Sequence, residues 1–484
     1  MVFNSYIFIL VFLPLAVIGY YLLNFLKIWG GKTGQIFLLL MSVWFYAYSN
    51  VRFLPFIAGS IFFNYCIHRL FVRKGEKAVR GNERKLLLAT AVIVNLCILI
   101  YFKYYNFFVD SLNLTFSTSF SIRELLLPMG ISFITFQQIA FVVDSYRGEA
   151  EECRFTEYAL FTAFFPHLLS GPIILHGDFI PLLRDARRKK PDWDHMASGI
   201  YLFACGLGKK VLLADVFGSA VDMGYGDVSA LNTTTAVFVT LAYSLQIYFD
   251  FSGYSDMAVG ISRMLNLDLP VNFNSPYKAG TISEFWDRWH ITLTRFFTRY
   301  LYIPLGGSRR GKVRTWVNTM IVFLCSGFWH GASWTFIFWG FLHGVAMVLQ
   351  RIFGKWTVRF PVMFKRLITF LFVNTAWILF RSGSFGTAAG MFRVLLSNRW
   401  GGLQAEVAGE FVNYLTGIIP AVPSWGIATA YLLAGFGIVW FGRNLYEKTQ
   451  KECVSVKSGI AVVLLLVLST LSFSGVSTYV YANF

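Results

Sequence analysis

The sequence predicts an all-α, multi-pass integral membrane protein, and three observations support this prediction. Of the 484 residues, 56% are hydrophobic and 18% are aromatic. Only 14% are charged, whereas soluble globular domains average about 25%. Apolar stretches recur along nearly the whole chain, and many approach the length of about 20 residues that a helix needs to cross the hydrocarbon layer. Together these features argue against a water-soluble fold.

Hydropathy predicts about 11–13 transmembrane or re-entrant helices. Several apolar stretches are short or contain Pro128, Pro166 or Pro172, which predicts broken or re-entrant helices whose backbone groups are satisfied by other parts of the protein. The predicted spans are 6–27, 35–49, 51–71, 85–108, 124–143, 157–182, 197–220, 231–265, a pair within 315–350, 367–381, 426–442 and 459–476.

The net charge of +17 comes from short basic clusters between apolar stretches. Such clusters mark the cytoplasmic side under the positive-inside rule, so the pattern argues against nucleic-acid binding. The connection 382–425 contains Arg393 and Arg399 as its only strong bases and is predicted on the opposite side. The clusters lie at 73–85, 184–190, 309–314, 355–366 and 443–451.

Residues 315–350 contain no Lys, Arg, Asp or Glu, and this length predicts a hairpin of two helices. His330 lies in its middle, and about 16 residues at roughly 1.5 Å each place it about 24 Å from the cytoplasmic end. An ionisable ring at that depth is a candidate functional group because neutral imidazole can act as a base. The alternative is a structural histidine hydrogen-bonded within the bundle, for example to Ser326.

His290 lies in a polar and aromatic segment, 284–300, that predicts an amphipathic or re-entrant helix at the cytoplasmic interface. Asp287 precedes His290 by three residues, so on a helix its carboxylate could orient the ring. Three basic side chains of this segment could bind the phosphates of a coenzyme A thioester, although simple anchoring to lipid headgroups is the alternative. These bases are Arg288, Arg295 and Arg299.

Asp250 and Asp256 interrupt an apolar run and are predicted to be paired, hydrated or protonated. We expect structural pairing, for example with Arg263, in support of the site. The six cysteines show no metal-ligand spacing, so no metal site is predicted. Among the remaining histidines, His68 and His195 are expected at the surface or the membrane interface, whereas three others are weak candidates for lining a pathway: His167, His176 and His343.

Motifs in the central half of the chain resemble the membrane-bound O-acyltransferase (MBOAT) family, most closely its alginate O-acetyltransferase-like and peptidoglycan O-acetyltransferase-like bacterial branch. They occur in the family's order from about 125 to 345. The motifs are Pro128-Met-Gly-Ile-Ser-Phe-Ile-Thr-Phe-Gln, Val143-Asp-Ser-Tyr-Arg-Gly, Phe165-Pro-His-Leu-Leu-Ser-Gly-Pro-Ile, Tyr248-Phe-Asp-Phe-Ser-Gly-Tyr-Ser-Asp-Met-Ala, Phe273-Asn-Ser-Pro-Tyr, Phe285-Trp-Asp-Arg-Trp-His, Tyr302-Ile-Pro-Leu-Gly-Gly and Gly327-Phe-Trp-His-Gly-Ala-Ser-Trp.

The resemblance implies an MBOAT-type fold in a single membrane domain, 1–484, with a core at about 125–350 and flanking helices at 1–110 and 360–484. It also implies that His330 is the essential intramembrane histidine and His290 the second polar residue of the site. Trp329 and Trp334, which neighbour His330 in the sequence, are expected to support the site.

The expected activity is transfer of an acetyl group from cytoplasmic acetyl-coenzyme A across the membrane to an exported or cell-wall polysaccharide, such as alginate or peptidoglycan. The resemblance implies location in the bacterial inner membrane and a hydrolase-like O-acetyltransferase partner on the far side. Two alternatives are a proton-coupled or solute transporter, and a non-catalytic scaffold of a polysaccharide-export complex. The hydropathy shows no internal repeat, which disfavours the transporter.

Overall fold

The computed structural model describes residues 1–26, 32–73, 79–357, 359–412, 422–451, 455–473 and 479. Within these residues the chain is a bundle of α-helices without β-strands. This confirms the predicted all-α class. Part of the first basic cluster, Lys74 and Lys77, lies outside the described residues, as do the C-terminal ends of the predicted spans 6–27 and 459–476.

The helices vary from single turns to one of 32 residues. Their bounds are α1 Leu13–Phe25, α2 Thr33–Asn50, α3 Leu54–Val72, α4 Gly81–Leu99, α5 Tyr105–Phe116, α6 Ile131–Arg147, α7 Phe155–Ala163, α8 His176–Arg184, α9 Trp193–Gly208, α10 Asp215–Gly226, α11 Thr233–Met264, α12 Ile282–Arg288, α13 Ile291–Phe297, α14 Lys312–His330, α15 Trp334–Thr357, α16 Val362–Arg381, α17 Phe385–Leu396, α18 Ala405–Gly409, α19 Ser424–Phe441, α20 Leu445–Lys451 and α21 Val456–Leu471.

Six stretches in the described part of the chain are long and apolar enough to cross a membrane. Two of them combine consecutive helices, α2 with α3 and α4 with α5. The six are Phe8–Phe25, Thr33–Val72, Gly81–Phe116, Trp334–Gly354, Val362–Arg381 and Ser424–Phe441. Exposed Leu, Phe and Ile side chains on these helices provide the apolar outer surface that a lipid environment favours.

The long helix α11 is buried on all sides, which is typical of a helix in the core of a large bundle. It crosses α9 at two pairs of glycines. A Cβ atom on Gly206 would lie 2.6 Å from the carbonyl oxygen of Gly253, and one on Gly199 would lie 2.6 Å from that of Gly260. Small residues of this kind let two helix backbones approach closely, as is common in membrane proteins.

Irregular backbone inside the bundle follows the prolines. Between α7 and α8, residues 164–175 leave the helical conformation, and every one of them is buried. Pro166 and Pro172 lie in this segment, and neither can donate a helical hydrogen bond. The backbone of Ile173 instead donates to Oγ1 of Thr292, at 2.9 Å. This confirms the predicted broken helix in the span 157–182.

The predicted hairpin at 315–350 is also confirmed. Helix α14 ends at His330, and α15 begins at Trp334. The two helices meet at Gly327 and Gly340, whose Cα atoms approach so closely that a Cβ on Gly327 would lie 3.2 Å from Gly340 Cα.

The segment 284–300 is not the continuous helix that the sequence predicted. Helix α12 ends at Arg288 and α13 begins at Ile291, with His290 in a left-handed conformation between them at a φ of 45°. A non-glycine residue in this conformation stops the helix and redirects the chain. The amphipathic helix predicted for this segment is therefore interrupted at His290.

Candidate active site

The turn at His290 is held by the side chain of Asn272. Oδ1 of Asn272 lies 3.1 Å from Nδ1 of His290. The same oxygen accepts hydrogen bonds from the backbone N–H of Thr292, at 3.3 Å, and from the Thr292 hydroxyl, at 2.9 Å. His290 is completely buried. One amide oxygen thus fixes both the backbone of the turn and the orientation of the imidazole.

This arrangement also determines the tautomer of His290. A backbone N–H can only donate, so the Asn272 atom that faces Thr292 must be the oxygen. Because an amide oxygen can only accept, Nδ1 of His290 must carry a hydrogen and donate it. In the neutral ring the lone pair then lies on Nε2, which is the nitrogen able to accept a proton or a hydrogen bond.

His330 ends α14 in a cage of aromatic side chains and is completely buried. Its ring centroid lies 5.0 Å from that of Trp329, 5.2 Å from Trp339 and 5.3 Å from Phe380. The ring of Trp329 also lies 6.0 Å from that of His290. Both predicted site histidines therefore lie beside Trp329.

A lysine that the sequence analysis did not select holds the end of α14. Nζ of Lys103 donates to the carbonyl oxygen of Trp329 at 2.5 Å and to Oγ of Ser132 at 3.3 Å. The hydroxyl of Tyr104 donates to the carbonyl oxygen of Phe328 at 2.7 Å. The last carbonyls of a helix lack internal partners, and a cation there is stabilising. These contacts position the turn that carries His330.

A cavity of about 280 Å³ extends along α14 toward His330. Its lining includes Thr319 and Ser326, which are seven residues apart on α14, or about 10 Å along the helix. Exposed Asp287 and Arg351 line the cavity together with buried Ser326, which lies one turn before His330. The cavity therefore joins the outer surface to a point one helical turn from the imidazole.

The prediction that Asp287 orients His290 is wrong. Asp287 is exposed and lines the cavity, whereas Asn272 contacts the ring. The helical spacing that would bring Asp287 and His290 together does not exist, because the chain leaves the helix between α12 and α13. The sequence offered one signal for Asn272, its position directly before the quoted motif that begins at Phe273.

The three arginines proposed for coenzyme A phosphates each have an acidic partner. Arg288 lies 2.8 Å from Oε1 of Glu284, and Arg295 pairs with Asp178. Arg299 lies 3.1 Å from Oδ2 of Asp144. The buried carboxylate of Asp144 also accepts a hydrogen bond from the Tyr300 hydroxyl, at 2.7 Å. These contacts link α13 to α8 and the segment after α13 to α6.

The two aspartates of α11 form ion pairs, as predicted, but with lysines in place of Arg263. Oδ1 of Asp250 lies 2.7 Å from Nζ of Lys210, and Oδ2 of Asp256 lies 2.6 Å from Nζ of Lys209. Arg263 instead lies 3.6 Å from Asp268. The lysines belong to a π-helical segment, Lys209–Ala214, that faces α11. From the sequence, this segment was predicted only as part of the span 197–220.

Other predicted residues lie elsewhere. Trp334 is 55% exposed and packs against Phe107, so it does not join the aromatic cage around His330. His68 was expected at the surface or the membrane interface, but it is completely buried in the contact between α3 and α6, where its Nδ1 lies 2.8 Å from Oγ of Ser145.

The remaining histidines also have identifiable neighbours. His195 is partly exposed and lies 2.8 Å from Asn266. His176 lies 3.1 Å from Asp144, and the buried ring of His167 lies 3.0 Å from the carbonyl oxygen of Phe161. His343 is completely buried, and its ring lies 4.8 Å from that of Trp339.

The fold defines a multi-pass membrane protein with a buried imidazole site. The sequence model of the MBOAT, membrane-bound O-acyltransferase family, matches residues 36–384, which is more than half of the chain. The chain therefore belongs to the membrane-bound O-acyltransferase family, and it is an acyltransferase. This confirms the resemblance found in the sequence motifs.

Two relatives extend this comparison over most of the chain. Peptidoglycan O-acetyltransferase from Helicobacter pylori is 36% identical, with 100% of this chain and 98% of that protein covered. The probable alginate O-acetylase AlgI from Pseudomonas aeruginosa is 39% identical, with 82% of this chain and 75% of that protein covered. A more distant similarity, 28% identity over 47% of this chain and 58% of the relative, is to teichoic acid D-alanyltransferase from Streptococcus thermophilus.

Proposed function

We propose that this protein transfers an acetyl group from cytoplasmic acetyl-coenzyme A, through the site at His330, toward a hydroxyl of an exported or cell-wall polysaccharide. The observation that carries the proposal is the buried pair of imidazoles, His290 and His330, together with a surface-connected cavity that reaches Ser326, one helical turn before His330. The relatives named for O-acetylation of peptidoglycan and alginate support acetyl as the acyl group and a polysaccharide as the acceptor.

The basic residues support a cytoplasmic entry for the donor. The cavity follows α14 from Thr319, and the same helix begins at Lys312, directly after the basic pair Arg309 and Arg310. Under the positive-inside rule this end of α14 faces the cytoplasm. A thioester that enters beside Arg351 would place its acyl group near Ser326, and the phosphates would remain at the basic surface.

If the phosphates of the donor lie at the cytoplasmic surface, Arg288, Arg295 and Arg299 remain candidates for binding them. Their side chains are 32%, 38% and 37% exposed, so an anion could share them with their acidic partners. The lipid bilayer surrounds the membrane-spanning helices. We further propose location in the bacterial inner membrane and a hydrolase-like O-acetyltransferase partner on the far side, which delivers the acetyl group to the polysaccharide.

The two histidines are assigned different tasks. His330 acts as general base on the acceptor hydroxyl or carries the acyl group transiently, and either role requires neutral imidazole. His290 presents the Nε2 lone pair and polarises or orients a hydroxyl or water beside Trp329. An apolar cage suits these roles because it disfavours the imidazolium form.

The first test replaces His330 by Ala in protein reconstituted into lipid. We expect at least about a 100-fold loss of acetyl transfer from labelled acetyl-coenzyme A, with normal abundance, because general-base and covalent catalysis typically contribute that much. His195→Ala is the matched control, since His195 lies at Asn266 away from the aromatic cage. Undiminished consumption of the thioester by the His330 variant would disprove the proposal.

A further inference from the structure

Two buried N–H groups beside His330, and a third beside Trp339, have no acceptor among the residues that the structure describes. They are Nε1 of Trp329, Nε1 of Trp339 and Nε2 of His343. The side chains are between 0% and 4% exposed. An indole N–H can only donate, and buried donors in native proteins are almost always satisfied. We call these three groups the donor cluster.

The contact with Trp286 makes His343 a donor at Nε2. Nε1 of Trp286 donates to Nδ1 of His343 at 3.3 Å. Because the indole N–H cannot accept, Nδ1 of His343 must present its lone pair, and the hydrogen of the neutral ring is then on Nε2. His343 and His290 are thus held in opposite tautomers, one with a hydrogen on Nε2 and the other with a lone pair there.

The donor cluster belongs to the site of His330. The ring centroids of Trp329 and Trp339 lie 5.0 Å and 5.2 Å from that of His330. The ring of His343 lies 4.8 Å from that of Trp339. A site with several donors and a buried, aromatic wall is suited to a ligand group that only accepts hydrogen bonds.

We propose that the donor cluster binds the carbonyl oxygen of the acyl group and stabilises the oxyanion that forms on it. This inference rests on the proposed function. When the acceptor attacks, its hydroxyl oxygen bonds to the thioester carbonyl carbon while the hydroxyl proton passes to His330. The carbonyl electron pair moves to the oxygen, which the donor cluster holds. Collapse restores the carbonyl and breaks the carbon–sulfur bond, and the departing thiolate takes the proton from His330.

The first experiment replaces His343. His343→Leu should lower kcat for acetyl transfer by about 100- to 1,000-fold, the usual effect of removing one oxyanion donor. KM for acetyl-coenzyme A should change by less than about threefold, because the interaction is strongest in the transition state. His343→Gln places an amide N–H near the position of Nε2 and should recover at least about tenfold of the loss. A purely structural role would give neither the separation of kcat from KM nor the recovery.

The second experiment removes only the N–H of Trp339. Replacing its indole by the benzothiophene of β-(3-benzothienyl)alanine keeps the bicyclic ring and should lower kcat by about tenfold or more. The same replacement at Trp377 is the matched control. That indole stacks on Trp339 at 5.7 Å, but its N–H already donates to the Tyr277 hydroxyl at 3.1 Å. We expect kcat of the Trp377 variant to stay within about threefold of wild type.

Two results would overturn the inference. One is an unchanged kcat in both His343→Leu and the Trp339 variant. The other is an equal loss at Trp339 and Trp377, which would assign the effect to ring packing. Either result leaves the acyltransferase proposal intact, because that proposal fails only if His330→Ala retains activity.

Discussion

At the scale of single residues, Asn272 has the largest structural influence on the site. Its Oδ1 accepts from His290 and twice from Thr292, and its own amide nitrogen donates to Ser255 on α11 at 3.4 Å. It therefore couples the left-handed turn at His290 to the central helix. A single acceptor oxygen decides which nitrogen of the imidazole can act as a base.

Replacing Asn272 by Leu should lower acetyl transfer by at least about 100-fold, since the tautomer and the orientation of His290 are both released. It should also destabilise the protein by about 1–3 kcal/mol, because buried donors lose their acceptor. Asn272→Asp keeps an acceptor oxygen and should retain most of the activity. The measurements are the transfer rate and the thermal unfolding midpoint in detergent. Equal activity in the Leu and Asp variants would contradict the assignment.

At the scale of helices, the crossing of α9 and α11 depends on having no side chain at the contact. Gly206→Ala would place a Cβ atom 2.6 Å from the Gly253 carbonyl oxygen. The clash is with backbone, so the helices must separate. We expect a loss of about 1–3 kcal/mol in the free energy of unfolding, as for overpacked cores.

Gly437→Ala in α19 is the control for this prediction, since a Cβ there meets nothing within 4 Å. Alanine has the higher helix propensity, so this variant should be neutral or slightly more stable. Thermal unfolding of both variants in the same detergent compares them directly. A Gly206 variant as stable as the Gly437 variant would show that the crossing tolerates greater separation than its geometry indicates.

At the scale of the whole molecule, the charge pattern predicts the orientation in the membrane. Ser308, beside the basic cluster 309–314, should face the cytoplasm, and Asn398, in the connection 382–425, should face the opposite side. Both residues are exposed. Single cysteines at these positions, in a background without the six native cysteines, should react with a membrane-impermeant maleimide from opposite sides of the membrane.

Labelling of both positions from one side would overturn this topology and, with it, the cytoplasmic entry for the donor. The result bears on the proposed direction of transfer and leaves the family assignment unchanged.

The connection 382–425 is more structured than the sequence predicted. Helices α17 and α18 lie within its described residues, and Thr233 of α11 donates to the carbonyl oxygen of Val394 at 3.1 Å.

Much of the fold was predictable because a membrane helix can be recognised from the apolar composition of a local stretch of sequence. The hairpin that carries His330 follows from a long segment without charges, and the broken span between α7 and α8 follows from its prolines. Both histidines of the candidate site could be selected from the sequence, since an ionisable group in an apolar stretch is costly and therefore informative. Lys103 carries the same signal, because the only other charge in the predicted span 85–108 is Lys85 at its first position. Its contact with α14 could not be predicted from the sequence.

The pairing of residues was far less predictable. Asp287 was the nearest carboxylate to His290 in sequence, yet Asn272 contacts the ring because one left-handed residue interrupts the helix. Arg263 was a plausible partner for the aspartates of α11, yet the π-helical segment after α9 presents two lysines there. Such partners depend on backbone turns that residue type does not specify.

The sequence by itself determined the helical membrane class, the acyltransferase family and the choice of His290 and His330 as candidate site residues, because hydropathy and motif order are properties of the chain read along its length. Only the tertiary structure decided which nitrogen of His290 and of His343 carries a hydrogen, which groups orient these two rings and which donors near His330 lack an acceptor among the described residues. Hydrogen bonds are directional and join residues far apart in the chain, so they exist only once the helices have packed.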